Sequence, residues 1–302
     1  MKRFVHSNAN ERRLPASTAI LVSLLLRLFL ASCRNLLPLQ KAGGRALIPE
    51  KVKSEHFLQA VERGDLDVVR ELLARDPSLL EVRDAAGWDA VSYAAWGAHP
   101  QVHEYLLRQG AEGNLFTEAA LGPVESFLGR LETNPIGVES RDVKQKASPL
   151  IWAVRTGNQV GCEVLLSKGA DVQVQDRDGN TALHHAALMD RLELLGFLLF
   201  AGADPEALNN QGQTALHLVT AAGSYSACRL LLDQGAALDR PDGLGNTPLH
   251  IAAERGDFEL CEYFLFFGAA TDQKNHDGQT PGDLARIQGH DRVVRLLGAH
   301  MQ

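Results

Sequence analysis

The feature that most limits what this chain can fold into is a tetrad that returns every 33 residues. Thr247-Pro248-Leu249-His250 follows Thr214-Ala215-Leu216-His217, which follows Thr181-Ala182-Leu183-His184. One step further back stands Ser148-Pro149-Leu150-Ile151, and one step forward Thr280-Pro281-Gly282-Asp283. Five tetrads in one register are not a chance event. A fixed period of this size means stacked units, each packed on its neighbours.

Each position has a local reason. Thr247 suits a helix N-cap, where its hydroxyl accepts from a free backbone N–H. Pro248 suits the first helical position, which needs no N–H. Leu249 points inward, as do Leu183 and Leu216, and all three are expected at unit-to-unit contacts. Ala252-Ala253 is small enough for neighbouring helices to approach. Gly256 ends the helix in a left-handed conformation. A second helix is expected over Asp257–Phe267, with Leu260, Cys261, Phe264 and Leu265 as its apolar stripe. Gly-Ala closes it, here at 268 and elsewhere at 110, 169, 202 and 235. A polar turn follows: Asp176 to Gly179, Asn209 to Gly212, Asp242 to Gly245, Asn275 to Gly278.

This pattern resembles the ankyrin repeat, over roughly residues 54 to 302. The resemblance implies an all-α solenoid of about seven to eight helix–turn–helix units with hairpin-like fingers between them. It also implies a curved array that holds a partner protein on its concave face and finger tips. Units are expected at 54–83, 84–113, 114–142, 143–175, 176–208, 209–241, 242–274 and 275–302. The first is weak and capping. The third is the most degenerate, with a short second helix broken at Asn134-Pro135-Ile136-Gly137.

Residues 1–53 carry ten Lys/Arg against two Asp/Glu, a net +8; residues 54–302 carry 20 against 35, a net −15. An acidic array is a poor nucleic-acid binder, and it steers a basic protein partner towards itself. The apolar run Ala19 to Ala31 follows Lys2, Arg3, Arg12 and Arg13. Three readings stand: a signal or short membrane anchor, an Arg-rich transit peptide, or a disordered leader. Leu30-Ala31-Ser32-Cys33 resembles a bacterial lipoprotein box, which would make Cys33 a lipidation site. Arg27 within the run opposes insertion by about 2.5–3.5 kcal/mol. The array is expected in the cytoplasm, with membrane attachment through residues 19–31, export and organelle targeting left open.

The repeated histidines do not form a metal site. Equivalent residues of stacked units stand about 8–10 Å apart, too far to share a zinc ion at about 2.0–2.1 Å. The resemblance assigns His184, His217 and His250 to hydrogen bonding within the repeat. Cys162, Cys228 and Cys261 share one helical position and read as small buried hydrophobes. No phosphate-binding loop, paired-cysteine, zinc-protease or nucleophile-elbow motif is present. The expectation is a non-catalytic binding scaffold without cofactor or metal. The alternatives are a regulatory or inhibitory subunit of an enzyme, or an enzyme with an unrecognised cleft.

The expected contact residues follow from the resemblance. On the fingers they are Trp88, Arg177, Asp178, Asn210, Gln211, Leu244, His276 and Asp277. On the inner helices they are Trp96, His185, Leu188, Met189, Glu254 and Arg255. Trp88 and Trp96 also fit a second reading, as rings filling gaps beside unit three, and Trp152 is expected in the core.

Overall fold

A computed structural model describes residues 50–299. The apolar run and Cys33 lie outside them. The helices come in pairs, one pair per unit. Units one and two are α1 (Glu50–Arg63) with α2 (Leu66–Arg75), and α3 (Ala90–Trp96) with α4 (Pro100–Arg108). Units three and four are α5 (Leu115–Leu121) with α6 (Val124–Thr133), and α7 (Pro149–Thr156) with α8 (Gln159–Ser167). Units five and six are α9 (Ala182–Leu188) with α10 (Leu192–Phe200), and α11 (Ala215–Ala222) with α12 (Tyr225–Asp233). Units seven and eight are α13 (Pro248–Arg255) with α14 (Phe258–Phe266), and α15 (Pro281–Ile287) with α16 (Asp291–Ala299). Short 3-10 turns lie at Pro77–Glu81 and Pro135–Glu139. Among the described residues no strand is present, only a single antiparallel bridge between Arg83 and Asp89. The first helix of each unit packs on the first helix of the next. Leu183, Leu216 and Leu249 are buried in those contacts, as the tetrad predicts.

The Thr-x-x-His pair does more than start a helix. The Thr181 amide donates to Nδ1 of His184 at 3.2 Å, so Nδ1 carries no proton. Nε2 therefore holds the proton, and it donates to the Gln213 carbonyl of the next unit at 3.0 Å. His217 reaches Asn246 O at 3.2 Å and His250 reaches Gln279 O at 3.1 Å in the same way. Burial holds all three rings below the ordinary histidine value of 6.5, which keeps them neutral and the tautomer fixed. In unit eight Asp283 takes this place and only caps, held down to about 2 by the Thr280 amide and hydroxyl and by Arg286.

The fingers are linked to one another through backbone. Arg177 N–H donates to Gln145 O at 2.6 Å, Asn210 to Asp178 at 3.0 Å, Gly243 to Gln211 at 2.8 Å and His276 to Leu244 at 2.9 Å. These four bonds join five fingers into a rail that runs from unit four to unit eight.

Unit three departs from the expectation. Its second helix is not short: α6 has ten residues, one more than α8, α10, α12 or α14. The loss lies before the unit. From Gly110 to the small pair at Ala119 is nine positions, whereas from Gly169 to Ala186 is seventeen. The finger between units two and three is therefore absent, and Asn114 caps α5 almost directly after α4 ends. Freed of a finger, the first helices of units two and four touch across unit three.

Candidate functional site

Two stretches of the face formed by the first helices and fingers differ in kind. In units two to four that face is filled with rings. Trp88 packs on Tyr93, Trp96 and Trp152 at centroid distances of 5.4, 5.8 and 5.2 Å. Trp152 also meets Trp96 at 5.1 Å and Phe116 at 5.7 Å. Lys144, from the finger of unit four, lies over the rings of Trp88 and Tyr93 and donates to Tyr93 Oη at 2.6 Å and Asp84 Oδ2 at 3.3 Å. Arg155 of unit four stacks on Trp96 at 3.9 Å and donates to its carbonyl at 2.9 Å. Both cations bridge units that a regular stack would keep apart.

Arg155 also donates to Nδ1 of His185 at 3.2 Å. Arg155 can only donate, so His185 holds its proton on Nε2 and gives it to Asp176 Oδ2 at 2.7 Å. Burial keeps His185 below its ordinary value and brings Arg155 down to about 10. Asp176 is buried too, yet the hydrogen bond from His185 and the amides of Asn180 and Asp178 hold it low. This buried chain ends on no serine, cysteine or cavity, and its geometry serves the join between units four and five.

Two expected contact residues are corrected by burial. Trp88 is only 5% exposed, because its indole turns inward onto Tyr93, Trp96 and Trp152. His185 is 3% exposed and has both ring nitrogens engaged. Trp96 is half-buried under Arg155, and Trp152 is core, as expected. The remaining residues do lie on the surface. Arg177, Asp178, Asn210, Gln211, Leu244, His276 and Asp277 are exposed on the fingers. Leu188, Glu254 and Arg255 are exposed on the helices below, with Met189 half-buried beside them. Leu188 and Ile287 occupy the same place in their units and are 47% and 64% exposed, and Leu244 is 67% exposed.

Sequence reasoning missed a second apolar surface on the outer helices. Tyr225 and Tyr263 stand 4.8 Å apart, Tyr263 and Phe267 4.9 Å, and Phe267 and Phe266 5.4 Å. Phe266 is 84% exposed and Phe200 93%. The signal was available: Phe200 and Phe266 fall on the side of the helix nearly opposite the buried stripe.

Models of ankyrin repeats match nearly the whole described chain. One of three copies matches residues 124–209, 175–242, 191–275 and 237–302, and one of many copies matches residues 57–107. The chain belongs to the ankyrin-repeat family. Its repeats mark it as a protein-interaction module.

Three relatives are similar over part of their length. An Arf-GAP with coiled-coil, ANK repeat and PH domain-containing protein 2 from Gallus gallus is 36% identical over 37% of this chain and 13% of its own length. Ankyrin repeat domain-containing protein 40 from Mus musculus is 28% identical over 35% of this chain and 29% of its own. The target of rapamycin complex 2 subunit AVO2 from Saccharomyces cerevisiae is 28% identical over 44% of this chain and 34% of its own. The aligned part thus spans at most about a third of these relatives' own length.

Among the described residues no group of three or more His, Cys, Asp or Glu converges as a metal would require. Nor is any described helix long and apolar enough to cross a membrane. Cys162 and Cys261 are pushed up to about 12 by burial and Cys228 to about 11, so none is a thiolate nucleophile at neutral pH.

Proposed function

We propose that this ankyrin array is a non-catalytic scaffold that holds a basic partner protein across units five to eight. The carrying observation is a continuous strip of exposed residues beneath the linked fingers. One helical position contributes Leu188, Ala221, Glu254 and Ile287 in successive units, all exposed. The finger tips above supply Arg177, Asp178, Asn210, Gln211, Leu244, His276 and Asp277. Apolar anchors at Leu188, Leu244 and Ile287 within a polar and acidic surround match the usual anatomy of an interface. Residues 54–302 carry a net −15, which favours a basic partner. In this reading the array works in the cytoplasm, where three free, buried thiols stay reduced. That one similar protein is named a complex subunit supports assembly as the role.

The test is affinity capture with the full chain, followed by mass spectrometry. The bait is compared with a variant carrying Leu188→Asp, Leu244→Asp and Ile287→Asp, and with a control carrying Phe200→Asp and Phe266→Asp. The strip variant should lose the specific partners and the control should keep them. Recovery of the same partners by the strip variant, with loss in the control, would move the binding face to the outer helices.

A further inference from the structure

The absent third finger leaves a place that no other part of the described chain fills. Where a further finger follows directly, the finger glycine is pressed by it, whereas Gly278 of the last finger meets nothing within 4 Å. A Cβ at Gly179, Gly212 or Gly245 would fall 2.7, 2.6 or 2.8 Å from the backbone nitrogen of Asn210, Gly243 or His276. A Cβ at Gly87, the matching glycine of unit two, would meet nothing within 4 Å.

The backbone bonds show the same vacancy. Ala86 O stands where Asp178 O, Gln211 O and Leu244 O accept from the next finger. Val143 N–H stands where Arg177, Asn210, Gly243 and His276 donate to the preceding one. Among the described residues neither Ala86 O nor Val143 N–H has a hydrogen-bond partner. The rail is thus interrupted by one finger, with a free acceptor on one side and a free donor on the other.

Between them lies an open pocket of about 350 Å³. Ala86 and Gly87 form one wall and Val143 the other, with Trp88, Phe116 and Trp152 as an aromatic floor. The charged groups at the rim are already engaged. Asp142 accepts from the amides of Lys144, Gln145 and Ala147 and from the Trp152 indole. Arg141 donates to the carbonyls of Lys146 and Gln175. These two charged lining residues have opposite signs and sum to zero, so the slot favours an occupant that is uncharged where it enters.

We propose that this slot binds an uncharged tight turn of a partner protein, which takes the place of the missing finger. One amide of the turn donates to Ala86 O, one carbonyl accepts from Val143 N–H, and an apolar side chain lies on Phe116, which packs over the buried Trp152 indole. The register is that of the protein's own rail. The slot is distinct from the strip of units five to eight, and its test uses no partner of that strip.

The probe is a backbone-cyclised peptide of residues 208–214, Leu-Asn-Asn-Gln-Gly-Gln-Thr, the array's own uncharged finger. It is titrated into the full chain and followed by amide and indole NMR. The Val143 amide and the Trp88 and Trp152 indole signals should shift saturably at millimolar peptide or below. Val143→Pro removes the donor at a turn position that accepts proline and should weaken binding about 3- to 10-fold. A variant with eight finger residues inserted after Ala111 should not bind. If the insertion does not fold, Val143→Pro still decides. The proposal is overturned if no signal shifts, if the shifts map to another face, or if Val143→Pro binds like the wild type. It is also overturned if the Val143 amide becomes available only after residues 1–49 are removed, or shifts with protein concentration alone. Those outcomes assign the slot to the chain's own leader or to a second copy.

Discussion

Units two to four and units five to eight are built from the same helix pair, yet they are held together by different means. In the later units the join is periodic. A histidine crosses to the next carbonyl, a finger amide to the preceding carbonyl, and a leucine is buried between. In the earlier units one finger is missing and the periodic bonds lapse. Large rings and two cations that reach across a whole unit take over. The lesson is that a repeat array tolerates loss of a link when side-chain volume fills the core beneath it, but the surface vacancy remains.

The largest effect should come from the periodic half. Replacing Leu216 and Leu249 together by Ala is expected to cost about 2–5 kcal/mol for each site. Units six and seven stand only on their neighbours, so the whole C-terminal half should melt early by circular dichroism. Glu254→Ala, at the surface, should stay within about 0.5 kcal/mol of wild type. A double variant that melts like Glu254→Ala would show the register to be wrong.

In the aromatic half the corresponding blow is Trp152→Ala, expected at about 3–5 kcal/mol. It should also abolish the near-ultraviolet dichroism of the Trp88, Trp96 and Phe116 contacts. Intact near-ultraviolet signal in a folded variant would mean that the rings do not depend on Trp152.

The next test isolates the missing finger. Gly87 and Gly212 both have positive φ, 84° and 71°, so alanine strains either backbone. Only Gly212 has the next finger against it. Gly212→Ala should therefore exceed Gly87→Ala by about 1–3 kcal/mol, the usual range for overpacking, read from urea midpoints. Equal losses would mean that the vacancy beside Gly87 does not exist in solution.

Much of this was legible in the sequence. The tetrads, the turn residues and the Gly-Ala ends specify the helix pairs because each encodes a local event: a cap, a turn, a left-handed stop. The buried leucines follow from the same register. What was not legible depends on volume. Trp88 occupies a finger position, and a finger residue reads as exposed unless the absence of its neighbour is noticed. Counting from Gly110 to Ala119 reveals that absence, but not that the indole turns inward to meet Trp152. His185 sits at a helical position open to a partner in some units, and it is buried here because Arg155 and Asp176 close over it. The second helix of unit three reads as short because Asn134-Pro135-Ile136-Gly137 interrupts its pattern, yet Phe127 and Leu131 are buried and Arg130 ties it to Glu118 and the Gly113 carbonyl.

A smaller difference between the halves should appear with acid. His184, His185, His217 and His250 all have values lowered by burial in the fold. The unfolded chain binds more protons than the folded one below the ordinary value of 6.5. Stability is thus complete above pH 6.5 and declines as the pH falls below it. In units two to four His103 has such a lowered value. Between pH 7 and 5 the protection of amides relative to their intrinsic exchange rates should fall first in units five to seven. An earlier fall of protection in units two to four would contradict this distribution.

The most direct measurement is native-state hydrogen exchange of five finger amides at neutral pH. The amides of Arg177, Asn210, Gly243 and His276 donate along the rail, and that of Val143 faces the vacancy. The four should be protected at least about tenfold over Val143, the effect of a bond that stabilises by roughly 1.4 kcal/mol. Protection of Val143 equal to the other four would mean that the rail is unbroken and that no finger is missing where the structure places the gap.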